Sequence, residues 1–364
     1  MRDEDVKQNG LRDGVLTLAG IAILLALLRM SSEIVAPFLL ALFIAIIAAS
    51  PVDWLKQRGI PSKWSVVIVV AVVVVLLVLV ALMLGTTATQ FNQALPGYQM
   101  RLNELTLEVS TWLTGKGINI DNAGILNALD PSVVMQFANT FVLGIGDTLS
   151  NALLITFIVL FLLVEASGFP KKLAAMDSSG DGNNLQRIAD IVQSVNRYAA
   201  AKAVVSLVTG ALIWIGLELV GLDFAPLWGF VAFALNFVPN IGSVLASVPA
   251  VLLAMLQLDP SMVLVVIGIY LLVNIVIGNV FEPMVMGKQV GLSVLTVFLS
   301  LVFWGWMFGP VGMLLSVPLS MVVKFSAESN LQTRWFAVLL GPAPAVNEGG
   351  EAVEQPKTKP DKSL

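Results

Sequence analysis

Amide, hydroxyl and helix-breaking residues interrupt one of the most apolar parts of the chain. The stretch NFVPNIGSVLASVP, residues 236–249, carries Asn236, Pro239, Asn240, Gly242 and Ser243. Proline cannot donate a helical backbone hydrogen bond, and glycine disfavours the helix. The stretch therefore predicts a helix break. Side-chain amides, hydroxyls and freed backbone groups offer neutral hydrogen bonds, which makes the break a candidate binding or gating site for a polar solute.

A second stretch, FGPVGMLLSVP at residues 308–318, resembles the first. Both have Phe two residues before Pro, a Gly shortly afterwards and Ser-Val-Pro at the close. Its candidate site residues are Gly309, Pro310, Gly312 and Ser316. Kinked helices that only pack on their neighbours are common in membrane proteins. Two related, Ser-containing breaks nevertheless favour a binding site over simple kinks.

The apolar segment between the two breaks also carries polar side chains. Asn274, Asn279 and Glu282 lie in LLVNIVIGNVFEP. Ionisable residues inside membrane spans are costly and usually face protein or water. Two interpretations of Glu282 stay open: a group that couples transport to protons or cations, or a structural carboxylate held by backbone N–H groups or Lys288. We interpret Lys202 as a lysine whose ammonium extends to the membrane interface.

The composition excludes much enzyme chemistry. The chain has no Cys and no His, which removes thiol nucleophiles, imidazole bases and most zinc or haem sites. The string GIGD at 144–147 matches a motif of intramembrane aspartyl proteases, but no second Asp is expected to face Asp147. We predict no catalytic residue, cofactor or metal site. Without a basic cluster interleaved with aromatics, nucleic acid is not expected as a partner.

Long apolar segments must position these residues. The 364-residue chain is 57% hydrophobic and 12% charged, whereas soluble domains carry about a quarter charged residues. The runs are long enough for helical spans and lack the alternation of a membrane barrel. We predict an all-α polytopic membrane protein with about eight hydrophobic segments, at 13–30, 34–50, 63–85, 141–165, 199–220, 224–257, 261–282 and 294–323.

Two of these segments are broken near their middle. Segments 224–257 and 294–323 are too long for one span and too short for two complete spans. With 261–282 crossing between them, they predict two re-entrant hairpins of opposite orientation. Broken helices that meet near the membrane midplane are a recurring arrangement in transporters.

Basic residues predict the orientation, because Lys and Arg are enriched in cytoplasmic loops. The predicted organisation has a cytoplasmic N-terminus at 1–12 and three spans within 13–85. An outer, periplasmic helical segment follows at 86–140, a span at 141–165 and a cytoplasmic amphipathic helical segment at 166–198. A transport core at 199–325 precedes a cytoplasmic, largely disordered tail at 326–364.

At the broken segments the chain resembles the autoinducer-2 exporter (AI-2E) family of bacterial membrane proteins. The similar runs are ALNFVPNIGSVLASVPAVL, GNVFEPMVMGKQVGLSVLTVFLSLVFWGWMFGPVGMLLSVPLSMVVK and IVAPFLLALFIAII. The resemblance extends over residues 13–330. The residues that match the family's motifs, and to which a functional role carries over, are Pro239, Asn240, Gly242, Glu282, Pro283, Gly309, Pro310 and Gly312.

The resemblance implies a multi-pass inner-membrane homo-oligomer, such as a pentamer, that moves a small polar solute by alternating access. Its named cargo is the furanosyl signal autoinducer-2. Other members are described as sodium or lithium/proton antiporters, which stays open as the alternative. A channel, a scaffold and an intramembrane protease are the remaining candidates.

Overall fold

The computed structural model describes residues 16, 19–20, 22–116, 152–166, 183–239, 241–286, 291–328 and 333–342. Within these ranges the regular structure is helical throughout, with no strand. Residues 22–30 are helical and lead through a turn at Ser31 into the first complete helix. The all-α prediction is confirmed.

The helices follow in this order: α1 Ser32–Gln57, α2 Ser62–Gly115, α3 Ala152–Ala166, α4 Asn183–Val220, α5 Ala225–Leu235, α6 Gly242–Gln257 and α7 Pro260–Val276. A π-helical turn, Ile277–Phe281, continues α7 into the short α8, Glu282–Met286. The remaining helices are α9 Val294–Leu314, α10 Ser316–Glu328 and α11 Arg334–Leu340.

Five of the helical stretches are long and apolar enough to cross a membrane. They are 32–57, 62–91, 189–220, 260–285 and 294–314. Three shorter apolar helices lie at 154–166, 225–235 and 242–257. Together they confirm the prediction of a polytopic α-helical membrane protein.

Two helices run through boundaries that the sequence analysis drew from hydropathy. Helix α2 has 54 residues, or about 80 Å at 1.5 Å per residue, and continues from a span into the predicted outer segment. Helix α4 has 38 residues and joins the predicted amphipathic segment to the following span. A helix can continue from an apolar environment into a polar one. A change in the polarity of its side chains therefore does not by itself mark its end.

Helix α4 lies at the centre of the bundle and packs against α1, α5, α7, α8 and α10. Its closest approach is to α5, at Gly210 and Gly229. A Cβ on Gly210 would lie 2.7 Å from the carbonyl oxygen of Gly229. Small residues let membrane helices approach until their backbones touch, and this pair fixes the first broken segment on α4.

The first broken segment, α5 and α6, is anchored at the C-terminal end of α4. The Gln257 side chain accepts a hydrogen bond from Asp223 N (2.8 Å) and donates one to Gly221 O (2.9 Å). The Tyr98 hydroxyl, on α2, donates to Asp223 Oδ2 at 2.7 Å. Burial, and then the hydrogen bond and charge of Asp223, raise the pKa of Tyr98. This hydroxyl therefore stays protonated as pH rises through the ordinary tyrosine pKa of about 10.

The second broken segment, α9 and α10, begins at the other end of α4. Leu292 and Val297, at the start of α9, pack with Val195 of α4 and Met321 of α10. Ser293 Oγ caps α9 by accepting from Thr296 N at 3.1 Å. Helix α11 packs on α10, and its Leu340 carbonyl accepts from Ser293 N at 3.0 Å. The two broken segments thus start from opposite ends of α4.

Several predicted features lie outside the described residues. They include the N-terminus at 1–12, the GIGD string, Asn240, Lys288 and residues 343–364 of the predicted tail. The outer segment from 117 to 140 and the inner segment from 167 to 182 also lie outside. The earlier part of the predicted tail contains α11, which is ordered against α10.

Candidate functional site

The two broken segments share one buried cluster. Phe237, in the first break, and Leu315, in the turn between α9 and α10, belong to one buried cluster. Ala199 of α4 and Phe43 of α1 complete the cluster, and the Phe43 and Phe237 rings meet edge to face at 5.9 Å. Sequence positions separated by about 80 residues are therefore brought to one place.

Each break contains a glycine that is pressed against the preceding half-helix. A Cβ on Gly242 would collide with the carbonyl oxygen of Leu235, and a Cβ on Gly312 with that of Trp304. In both cases the next contact is the Cβ of the residue four positions earlier, Val238 or Phe308. Glycine is required here because the chain folds back onto its own backbone. The similarity between the two stretches thus extends to their local packing.

The first break runs from Asn236 to Ile241, between the end of α5 and the start of α6. The Asn236 amide Nδ2 donates to Ser206 Oγ of α4 at 3.0 Å. Pro239 and Ser243 are half-buried beside it. Ser206 is fully buried, so this amide connects the tip of the broken segment to the central helix.

The second break has its non-helical backbone at Phe308 and Gly309. Gly309 has φ 62° and ψ −143°, a left-handed region that favours glycine. Pro310 is exposed, Gly312 is buried and Ser316 is fully buried. The Ser316 hydroxyl has no hydrogen-bond partner within the part of the chain described here. Buried polar groups usually have partners, so this enclosed hydroxyl would gain a hydrogen bond if the break opened to a water or a solute.

A buried charge pair lies close to the first break. Lys202 Nζ of α4 contacts Glu282 Oε1 at 2.6 Å, with side chains 4% and 29% exposed. Each residue lies within a helix that can cross a membrane. The interpretation of Lys202 as an interfacial lysine was wrong, because its ammonium is held inside the bundle. Glu282 is paired with Lys202, while Lys288 lies outside the described residues.

The backbone just before Glu282 is a π-helical turn, Ile277–Phe281. Such turns interrupt the α-helical hydrogen-bond ladder and often occur at functional sites. Asn279, within the turn, is exposed, and Asn274 is half-buried on α7. The structure therefore brings Glu282 and Asn236 against α4, which carries Lys202. Asn279 lies on the outside of the chain.

Lys202 is the residue that the sequence reasoning missed. On α4, Lys202, Ser206 and Thr209 recur at steps of four and three residues, and all three are buried. That spacing places them on one face of a helix, among apolar neighbours. This polar stripe inside an apolar span is visible in the sequence. It indicates that this face of the helix packs against other parts of the protein.

The side chains that the structure describes do not include a cluster of metal ligands. Among the residues that the structure describes, no group of three or more Asp and Glu side chains could hold a metal ion. The arrangement at the breaks consists of amides, hydroxyls and backbone groups with one compensated charge pair. Such groups bind neutral polar solutes by hydrogen bonds.

Comparisons with known proteins show what the chain is similar to. The model of the AI-2E family of transporters matches residues 16–330. The AI-2 transport protein TqsA of Escherichia coli is 36% identical over 332 residues, covering 91% of this chain and 96% of TqsA. A candidate transport protein of Haemophilus influenzae is 35% identical over 333 residues, covering 90% and 95%. The candidate transport protein YueF of Bacillus subtilis is 26% identical over 293 residues, covering 76% and 78%.

Proposed function

Because the chain belongs to the AI-2E family of transporters, we propose that it exports autoinducer-2 or a similar small polar solute by alternating access. The proposed site comprises the two breaks: Asn236, Pro239, Asn240, Gly242, Ser243, Gly309, Pro310, Gly312 and Ser316. Asn274 of the intervening segment, which is half-buried, completes it, whereas the exposed Asn279 is left out. The proposed setting is the bacterial inner membrane, with both termini in the cytoplasm.

The observation that carries this proposal is the convergence of the two breaks. Phe237 and Leu315 belong to one buried cluster, while the segments that hold them start at opposite ends of α4. A solute held at this junction has one broken segment leading to each side of the membrane. Rocking one segment against the other would open the site to one side at a time.

The chemistry of the junction favours a neutral, hydroxyl-rich cargo. Asn236, Ser243 and Ser316 supply neutral donors and acceptors, and the one buried charge pair is internally compensated. TqsA is named for AI-2 transport, and 36% identity over most of both chains supports a related cargo here.

A second candidate function, sodium or lithium/proton antiport, is favoured by the Lys202–Glu282 pair. An ammonium bound to a carboxylate in the apolar interior occupies the place that a transported cation could take. Release of Lys202 when a proton or a cation reaches Glu282 would couple ion binding to movement of α4. A homo-oligomer, such as a pentamer, is proposed for either function.

The deciding experiment is a flux measurement on the full-length protein in proteoliposomes. Autoinducer-2 is compared with sodium and lithium under an imposed pH gradient. Saturable movement of autoinducer-2 is the expected result. Cation-stimulated proton movement without autoinducer-2 flux would replace the exporter function by the antiporter function.

Replacing Glu282 with Gln tests the coupling role. Because Gln has no titrating carboxyl, we expect the transport rate of Glu282→Gln to vary much less with pH than that of the wild type. The measurement is the initial rate across a pH series. The double variant Lys202→Met/Glu282→Gln is the companion protein, since it carries no unpaired charge. A wild-type pH profile in both variants would make Glu282 a structural partner of Lys202.

A further inference from the structure

A cavity of about 540 Å³ opens beside the second break. Its lining comprises Arg29, Ser32, Glu33 and residues 305–309. Arg29, Glu33 and Trp306 are exposed, so the site is an open groove rather than an enclosed pocket. This cavity brings two charged side chains from the start of the chain to the broken backbone of α9, and neither was among the predicted site residues.

The Arg29 guanidinium is held in the cavity wall by an aromatic ring. Its Cζ lies 4.6 Å from the ring centroid of Trp306. Among the described residues, neither Arg29 nor Glu33 has a hydrogen-bond or ion-pair partner. Stacking uses the face of the guanidinium and leaves its N–H groups at the edge free to donate. The stack on Trp306 therefore leaves these N–H groups available to a ligand.

The backbone of the break adds further polar groups. Pro310 has no N–H, so it cannot donate the helical hydrogen bond that the Trp306 carbonyl would otherwise accept. The Cβ position of Gly309 faces open space, in contrast to that of the tightly packed Gly312. The wall at this point is thus accessible backbone rather than packed side chains.

We propose that this cavity is a solute-binding subsite for neutral polyhydroxylated molecules, with Arg29 as donor and Glu33 as acceptor. An anion would be repelled by Glu33 and a cation by Arg29. A hydroxyl group both donates and accepts, so adjacent hydroxyls satisfy both side chains at once. The subsite rests on the proposed transport function, and in the proposed orientation it lies at the outer mouth of the path.

The test is equilibrium binding to the full-length protein in lipid nanodiscs, measured by calorimetry. The probes are autoinducer-2, ribose as an uncharged polyol and inorganic phosphate as an anion. We expect saturable binding of both polyols and weaker binding of phosphate. Arg29→Gln should weaken polyol binding about tenfold or more, the size of losing a hydrogen bond to a charged group.

Matched variants separate binding from folding. Arg58→Gln is the control, since Arg58 makes a similar stack on Trp54, at 4.2 Å, near the other end of α1. It should leave polyol affinity unchanged. Glu33→Gln should weaken polyol binding and strengthen phosphate binding, a reversal that general destabilisation would not produce. Trp306→Phe keeps a ring beneath Arg29 and should have an intermediate effect.

The subsite proposal would be wrong if Arg29→Gln bound the polyols with unchanged affinity. It would also be wrong if the wild type bound phosphate more tightly than the polyols. The flux assay separates the two proposals. If Arg29→Gln transports autoinducer-2 and binds the polyols normally, the exporter proposal stands and the subsite proposal is wrong. If ribose binding depends on Arg29 but autoinducer-2 is not transported, the subsite proposal stands and autoinducer-2 is not the cargo.

Discussion

Replacing Glu282 with Gln should destabilise the protein more than replacing its partner Lys202 with Met. The two side chains are paired at 2.6 Å, but Lys202 is 4% exposed and Glu282 is 29% exposed. Without Glu282 the ammonium is left unpaired in the apolar interior. Without Lys202 the carboxylate can still be hydrated. Removing one partner of a buried pair costs about 3–5 kcal/mol, and Glu282→Gln should approach that range.

The double variant Lys202→Met/Glu282→Gln should recover much of this stability, because no unpaired charge remains. Thermal unfolding of the purified protein measures all three variants. The control is the exposed pair of Lys56 and Asp53, at 2.9 Å with side chains 35% and 62% exposed. Asp53→Asn should cost no more than about 1 kcal/mol. A larger loss for Lys202→Met than for Glu282→Gln would contradict this account of the pair.

The second large effect is expected at the glycines of the two breaks. Gly312→Ala places a Cβ against the carbonyl oxygen of Trp304, and Gly242→Ala places one against that of Leu235. Each half-helix must then move away from its partner, and overpacking of this kind costs about 1–3 kcal/mol. We expect each variant to lose most of its transport rate in the proteoliposome flux assay. Gly312→Leu should abolish transport.

Gly268→Ala is the matched control, since a Cβ at this position of α7 meets no atom within 4 Å. Alanine is favoured over glycine in a helix by about 1 kcal/mol, so this variant should be at least as stable as the wild type. Membrane abundance is measured beside transport for every variant. Wild-type transport in both Gly242→Ala and Gly312→Ala would show that the close packing at the breaks is not needed.

The breaks were predictable from the sequence because their causes are local. Proline and glycine weaken a helix locally at both breaks. They do not break it in every setting, since Pro37 lies inside α1, Pro96 inside α2 and Pro249 inside α6. The structure has its first break between Leu235 and Gly242 and its second at Phe308–Gly309. By contrast, the sequence did not show that α2 and α4 each continue unbroken through a change in polarity, since hydropathy marks where a helix leaves an apolar environment and not where it stops.

The partners of the polar residues were not predictable in the same way. Lys202 and Glu282 are 80 positions apart, and Arg29 meets Trp306 from the opposite end of the chain. A lone lysine in an apolar span is compatible with an interfacial position or a buried pair, and the choice depends on which helix packs beside it. Only the polar stripe that Lys202 forms with Ser206 and Thr209 indicated the answer.

By itself, the sequence determined the membrane class, the helical structure and the positions of the breaks, because these follow from composition, span length and local backbone chemistry. The tertiary structure alone decided which break meets which helix, which charge is compensated and where a cavity remains open. Those outcomes depend on contacts between residues far apart in the chain, and local propensity carries no information about them.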